Sequence, residues 1–278
     1  MATDAENIER WYNDSLIQIA AESYFQTIEF RFGVKSDVID VLIRGNTPLG
    51  TPPEQEQYVR MTAIQAEDFW ARYEIVDQLM NTSSGFSATV VKEKASGRFI
   101  LTMRSTEYKN AAVNGDLERD GINGADGEIA FQGFAIGQIR DMLWYLDELK
   151  AGRLQYGSAT HAAELQGYLN AAPINGDKKL DVVDYSLSGH LAIVLTELHP
   201  ELVGGTTLFN AAGRGRIRDH GLAIAGQSVA AMLATFEKLL VDPNHLSLAD
   251  TPTQLGDMTP RCERIIHTPY VARTALAS

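Results

Sequence analysis

Asp-Val-Val-Asp-Tyr-Ser-Leu-Ser-Gly-His-Leu-Ala, residues 181–192, changes its hydrophobic period in the middle. Leu180, Val182 and Val183 form a short apolar run of strand type. Leu191, Ala192, Val194 and Leu195 then recur at helical spacing. A strand that turns directly into a helix at a serine is the setting of a nucleophile elbow. There the sharp turn lifts the Ser186 hydroxyl out of the sheet, within reach of a histidine base. The N–H of Leu187, at the opening of the helix, is expected to face the oxygen of an attacked carbonyl.

The outer positions of the Gly-x-Ser-x-Gly pattern carry Asp184 and Ser188. Small residues are favoured there because strand and helix backbones pass close to each other, so added side chains are expected to widen or strain the crossing. The plainer reading is an ordinary strand-to-helix turn in which Ser186 or Ser188 is only an N-cap.

Working outward, Gly205–Phe209 reads as another strand and 222–240 as a long apolar helix, followed by a Pro- and Asp-containing loop over 242–260. Upstream, Gly85–Val91 and Arg98–Met103 read as a hairpin turning at Lys-Ala-Ser-Gly, 94–97. The Asn-Gly and Asp-Gly pairs of 109–128 predict a long loop. Phe134–Leu149 and Ala159–Asn170 have helical patterning. Residues 5–32 and 54–80 also carry apolar residues at helical spacing, joined by the turn-rich 44–53. The expected organisation is a helical amino-terminal region, 1–80, packed on an α/β domain over 81–278, with a mostly parallel or mixed sheet flanked by helices.

Composition bounds the partners. Hydrophobic residues make up 45% and charged residues 22% of the 278 positions, ordinary for a globular chain. Lys plus Arg number 24 against 36 Asp plus Glu, a net charge of −12, which disfavours nucleic acid and anionic membrane surfaces. Cys262 is the single cysteine, so neither an internal disulfide nor a thiolate metal site is expected. The start, Met-Ala-Thr-Asp-Ala-Glu-Asn-Ile-Glu-Arg, lacks an apolar signal core, and no apolar run approaches the ~20 residues that span a bilayer. The expectation is a soluble protein that, if exported, leaves without a cleaved amino-terminal signal.

Three ordered blocks resemble bacterial lipases and esterases of the α/β-hydrolase fold, related to the class 3 lipases and to the lipase domains of RTX-type secreted proteins. Gly85–Val90 through Phe99–Glu107 is similar to a strand pair ending in Phe-Arg-Gly-Thr-Glu, with Ser105 in the glycine position. Asp120–Ile139, around Gly-Ala-Asp-Gly-Glu-Ile, is similar to the loop and helix that follow. Asp184–Ala192 is similar to Gly-His-Ser-Leu-Gly-Gly-His-Leu-Ala, with Tyr185 in place of the first histidine. Phe209–Gly213 is a weaker echo.

The resemblance implies a serine carboxylic-ester hydrolase with Ser186 as nucleophile and a small-molecule or lipid ester as substrate. Chain order in such a fold is serine, acid, histidine. His267 is the expected general base, with His245 as alternative. Asp250 best matches the position of the acid, ahead of Asp242 and then Asp257. His190 reads as a helix-face residue and His199 as a cap or surface group. The oxyanion hole would use Leu187 and Thr106, beside the altered Ser105. No metal or cofactor is expected, because Asp116-Leu-Glu-Arg-Asp120 lacks the alternating ligands and distal glutamate of a calcium loop. The departures at Ser105, Asp184, Tyr185 and Ser188 support an alternative: a non-catalytic or weakly active lipase-like domain serving binding or assembly.

Overall fold

The computed structural model describes residues 3–25, 33–47, 59–109, 115–132, 134–175 and 179–213, with the backbone of 218–219, 222–223 and 265–267. Helix α1 (Asp4–Glu22) starts at a capping box in which Thr3 and Glu6 satisfy each other's backbone N–H groups. Helix α2 (Lys35–Arg44) follows, and α3 (Ala63–Arg72) starts at a second capping box, Thr62 with Gln65. Strands β1 (Tyr73–Leu79), β2 (Ala88–Glu93) and β3 (Phe99–Met103) form an antiparallel meander.

The chain then builds α4 (Leu117–Asp120), α5 (Ala125–Gln132), α6 (Ile136–Lys150) and α7 (Ala159–Asn175) before returning to the sheet. Strand β4 (Leu180–Tyr185), helix α8 (Ser186–Leu198) and strand β5 (Val203–Phe209) form one β–α–β unit. Two-residue strands β6 (Arg218–Asp219) and β7 (Leu222–Ala223) pair with each other, and β8 (Ile265–His267) joins the main sheet. That sheet is mixed, in the order β1-β2-β3-β4-β5-β8, with β3, β4, β5 and β8 parallel.

Both faces of the sheet are covered, and side-chain alternation sorts the residues between them. Val76, Val90, Leu101 and Val182 pack with α6 and α8, while Ile75, Val91, Ile100 and Val183 pack under α1, α2 and α3. The architecture is a three-layer α/β sandwich. Among the described residues no helix is long and apolar enough to cross a membrane.

The structure differs from the sequence reading in five places. The helical pattern expected over 5–32 ends at Glu22, and 23–25 are not helix. The helical pattern expected through residue 80 stops at Arg72, and 73–79 is strand. Burial on both faces, with a bulge between Ile75 and Asp77, hides the two-residue period there. Helix α2 occupies a stretch for which no helix is expected, and α4 and α5 occupy part of the expected loop 109–128. Leu222–Ala223, expected to open the helix 222–240, is strand. The rest of that helix lies outside the described residues, as do Asp242, His245, Asp250 and Asp257.

Candidate active site

Ser186 is the first residue of α8, and its backbone has a φ of +49°. A side-chain-bearing residue in that region is strained, and such strain persists only where the surrounding fold enforces it. The enforcement is visible on both sides. Tyr185 ends β4 in register with Phe209 of β5, and the Ser186 carbonyl accepts the Ala212 N–H at 2.8 Å. Asn210, at the end of the neighbouring strand, shares the same φ of +49°.

Ser188 performs the capping. Its hydroxyl donates to the Tyr185 carbonyl at 2.8 Å and accepts the Tyr185 N–H at 3.3 Å. The Ser186 hydroxyl makes no hydrogen bond with any described residue. Among the described residues, the serine in the strained position is thus the one left without a hydroxyl partner.

The expected crowding at 184 and 188 is not where the backbones meet. Asp184 stays in regular register with Leu208, and Ser188 is absorbed by its own turn. The close approach falls at Gly189, where a Cβ would lie 2.5 Å from the Ala211 Cβ and 2.9 Å from its Cα. Gly189→Ala is therefore expected to cost about 1–3 kcal/mol by overpacking and to displace the segment that holds the Ser186 carbonyl. Equilibrium urea unfolding measures it; an unchanged midpoint would show that the contact yields.

Next to the elbow, the paired register of β3 and β4 covers only Ile100 with Asp181 and Leu101 with Val182. Beyond it, side chains serve the β3 backbone. The Met103 N–H donates to Asp184 Oδ1 at 2.7 Å, and the Met103 carbonyl accepts from Gln18 Nε2 at 3.3 Å. The Ser105 N–H donates to Glu22 Oε1 at 2.9 Å. Asp184 thus fills a gap between diverging strands, which is why a carboxyl is accommodated where the sequence reading expects a small residue. Burial drives its pKa well above the usual carboxylate range.

Thr106 follows at the carboxyl end of β3. Its hydroxyl donates to Asp126 of α5, at 3.2 Å to Oδ2, while its backbone N–H bonds no described residue. The hydroxyl is therefore occupied and the amide is available. The Leu187 N–H belongs to the first turn of α8, where helix amides have no carbonyl partner of their own.

His190 is fully buried and edges Phe134 at 5.5 Å between ring centres. Nε2 accepts the Ala135 N–H at 3.3 Å, which assigns the proton to Nδ1 and its bond to the Gly213 carbonyl at 2.5 Å. Burial lowers its pKa to about 4, outweighing the Gly213 bond. It ties α6 and the 210–213 segment to α8 and has no free nitrogen for base catalysis.

Farther out, Glu107, Asp116 and Asp120 bring three buried carboxylates together. Every oxygen already has a donor: Tyr24 and Asn81 on Glu107, Arg119 and Asn81 on Asp116, Gln138 and the Glu107 N–H on Asp120. The cluster clasps Glu107 and the start and end of α4 to the β1–β2 connection and reads as structural.

Strand β8 places the backbone of His267 level with Leu208, which is level with Asp184. The histidine thus belongs to the same carboxyl edge as Ser186, about two strand spacings, ~10 Å, from β4. Its side chain lies outside the described residues. Glu22 and Asp126, both at the site, are absent from the sequence-based candidates. One signal was present for Glu22: an acid in the apolar stretch Ile-Ala-Ala-Glu-Ser-Tyr-Phe, at the helix end that disfavours negative charge. Asp126 had none.

No protein-family model matches this chain, and no curated protein does. Among solved structures, the chain is similar to the crystal structure of lipase from Rhizopus microsporus var. chinensis, with 13% identity and a TM-score of 0.37. The similarity covers 77% of this chain and 61% of that one.

Proposed function

We propose that the chain is a serine carboxylic-ester hydrolase of α/β-hydrolase type, acting through an acyl-enzyme on Ser186. The observation that carries this reading is the positive φ of Ser186 at a strand-to-helix turn, with its hydroxyl unbonded among the described residues while Ser188 does the capping.

In the proposed reaction Ser186 Oγ attacks the ester carbonyl carbon and its proton passes to His267, oriented by Asp250. The N–H groups of Leu187 and Thr106 receive the developing oxyanion. The carbon–oxygen bond to the alcohol then breaks, and the alcohol leaves with the proton from the histidine. Water adds to the acyl-enzyme by the reverse proton path and releases the acid. The occupied Thr106 hydroxyl contributes nothing in this arrangement, so its backbone amide carries the second donor.

The test is incubation with p-nitrophenyl esters of graded chain length, alongside a p-nitrophenyl alkylphosphonate that phosphonylates activated serines. The expected result is ester turnover and a single phosphonyl adduct on the peptide containing Ser186. Turnover without that adduct, or neither, overturns the assignment.

A further inference from the structure

The departures at Asp184, Tyr185 and Ser105 converge on one side chain from an element more than eighty residues upstream of any of them. Glu22 is the last residue of α1 and is almost fully buried. The position is doubly unfavourable for a carboxylate, being inside the protein and at the negative end of a helix with no basic residue in its last turn. Helix α1 sets Gln18 and Glu22 one turn apart on a single face, and these address alternate residues of one extended segment. Gln18 donates to the Met103 carbonyl, and Glu22 accepts the Ser105 N–H. On its other side Glu22 faces the phenol of Tyr185, the residue immediately before Ser186.

We infer that Glu22 is a positioning residue of the acyl-transfer site: its carboxylate holds the Ser105 amide while facing Tyr185, and so keeps the Thr106 N–H in register with Ser186. This rests on the ester-hydrolase reading of Ser186. Engaging the Ser105 N–H fixes the Arg104–Ser105 peptide, one before the peptide that carries the Thr106 N–H, and successive amides of an extended segment point opposite ways. Its other side faces Tyr185, at the strand end that carries the nucleophile. Where β3 and β4 no longer pair, Glu22 is the acceptor for the Ser105 amide.

The charge environment makes this link sensitive to pH. Arg104, lying over the Tyr24 ring at 4.6 Å, favours the ionised carboxyl. Glu107 opposes it as a like charge; Asp184, itself a raised carboxyl, and the Tyr24 and Tyr185 phenols complete the groups facing it. Burial prevails and pushes its pKa up to about 7. The ionised form is the stronger acceptor for the Ser105 amide. Protonation therefore loosens the Thr106 side of the site.

The experiment compares wild type with Glu22→Gln and with Tyr185→Phe. It reads phosphonylation rate, kcat and KM between pH 5 and 9, and thermal unfolding. Glu22→Gln is expected to lower the phosphonylation rate and kcat together, by about 10–100-fold, with KM within threefold and no loss of melting temperature. Its acid limb should show one ionisation, against two in the wild type. Tyr185→Phe, which removes only a hydroxyl, should give a smaller loss and should not add to Glu22→Gln in the double variant. Equal phosphonylation of wild type and Glu22→Gln overturns the role of Glu22 alone, as does a lowered melting temperature with unchanged rate and limb. A wild type whose Ser186 takes no phosphonate overturns the hydrolase reading, and the role of Glu22 with it.

Discussion

Ser186→Ala is expected to lower ester hydrolysis by about 10⁴–10⁶-fold and to abolish phosphonylation, because the nucleophile is removed while the oxyanion donors remain. Ser186→Gly should do the same and, in addition, make the protein more stable than wild type. At a φ of +49° a Cβ is unfavourable and glycine is not. The gain expected is about 1 kcal/mol, read as a raised urea midpoint with unchanged slope. Loss of activity with gain of stability at the same position marks strain held for function. If Ser186→Gly were less stable than Ser186→Ala, the turn would not be strained and the elbow would lose its main physical support.

Stability is expected to fall as pH rises from about 6.5 to 8. Burial raises the carboxyls of Glu22 and Asp120 to about 7 and about 8, in Asp120 reinforced by Asp116 and Glu107. A raised carboxyl binds its proton more tightly when folded, so its contribution is complete below the unfolded value near 4 and is lost as pH climbs through the folded value. His190 works in the opposite direction. Its lowered pKa of about 4 means stability is lost as pH falls from about 6.5 towards 4. Between 6.5 and 8 the carboxyls act unopposed by it, and a loss of about 2 kcal/mol is expected. Melting temperatures at pH 6.5 and 8 test this. Asp120→Asn should flatten the slope, since it has no proton to lose; an unaltered slope would show that Asp120 is not among the titrating groups.

Much of the fold was legible because its signals are local. The hairpin of β2 and β3 follows from β-branched runs flanking Lys-Ala-Ser-Gly, and α6, α7 and α8 follow from a clean helical period. Strand β1 was hidden because its two faces enter different cores, so no single alternation survives. Helices α4 and α5 were hidden by the turn-forming Asn-Gly and Asp-Gly pairs around them.

At the site, the sequence alone determined the strand-to-helix switch at Ser186, since a change of hydrophobic period is a property of consecutive residues. It also placed Thr106 after a strand that ends at Met103. Only the tertiary structure decided which serine caps and which stays free, that Gly189 rather than 184 or 188 is the point of close approach, and that Asp184 fits by serving the Met103 amide. Only it brought Glu22 to Ser105 and Tyr185 and buried His190 between two backbone groups. These depend on which residues distant in the chain share a small volume, where strand divergence, burial and charge act together, and no pattern along the chain encodes that volume.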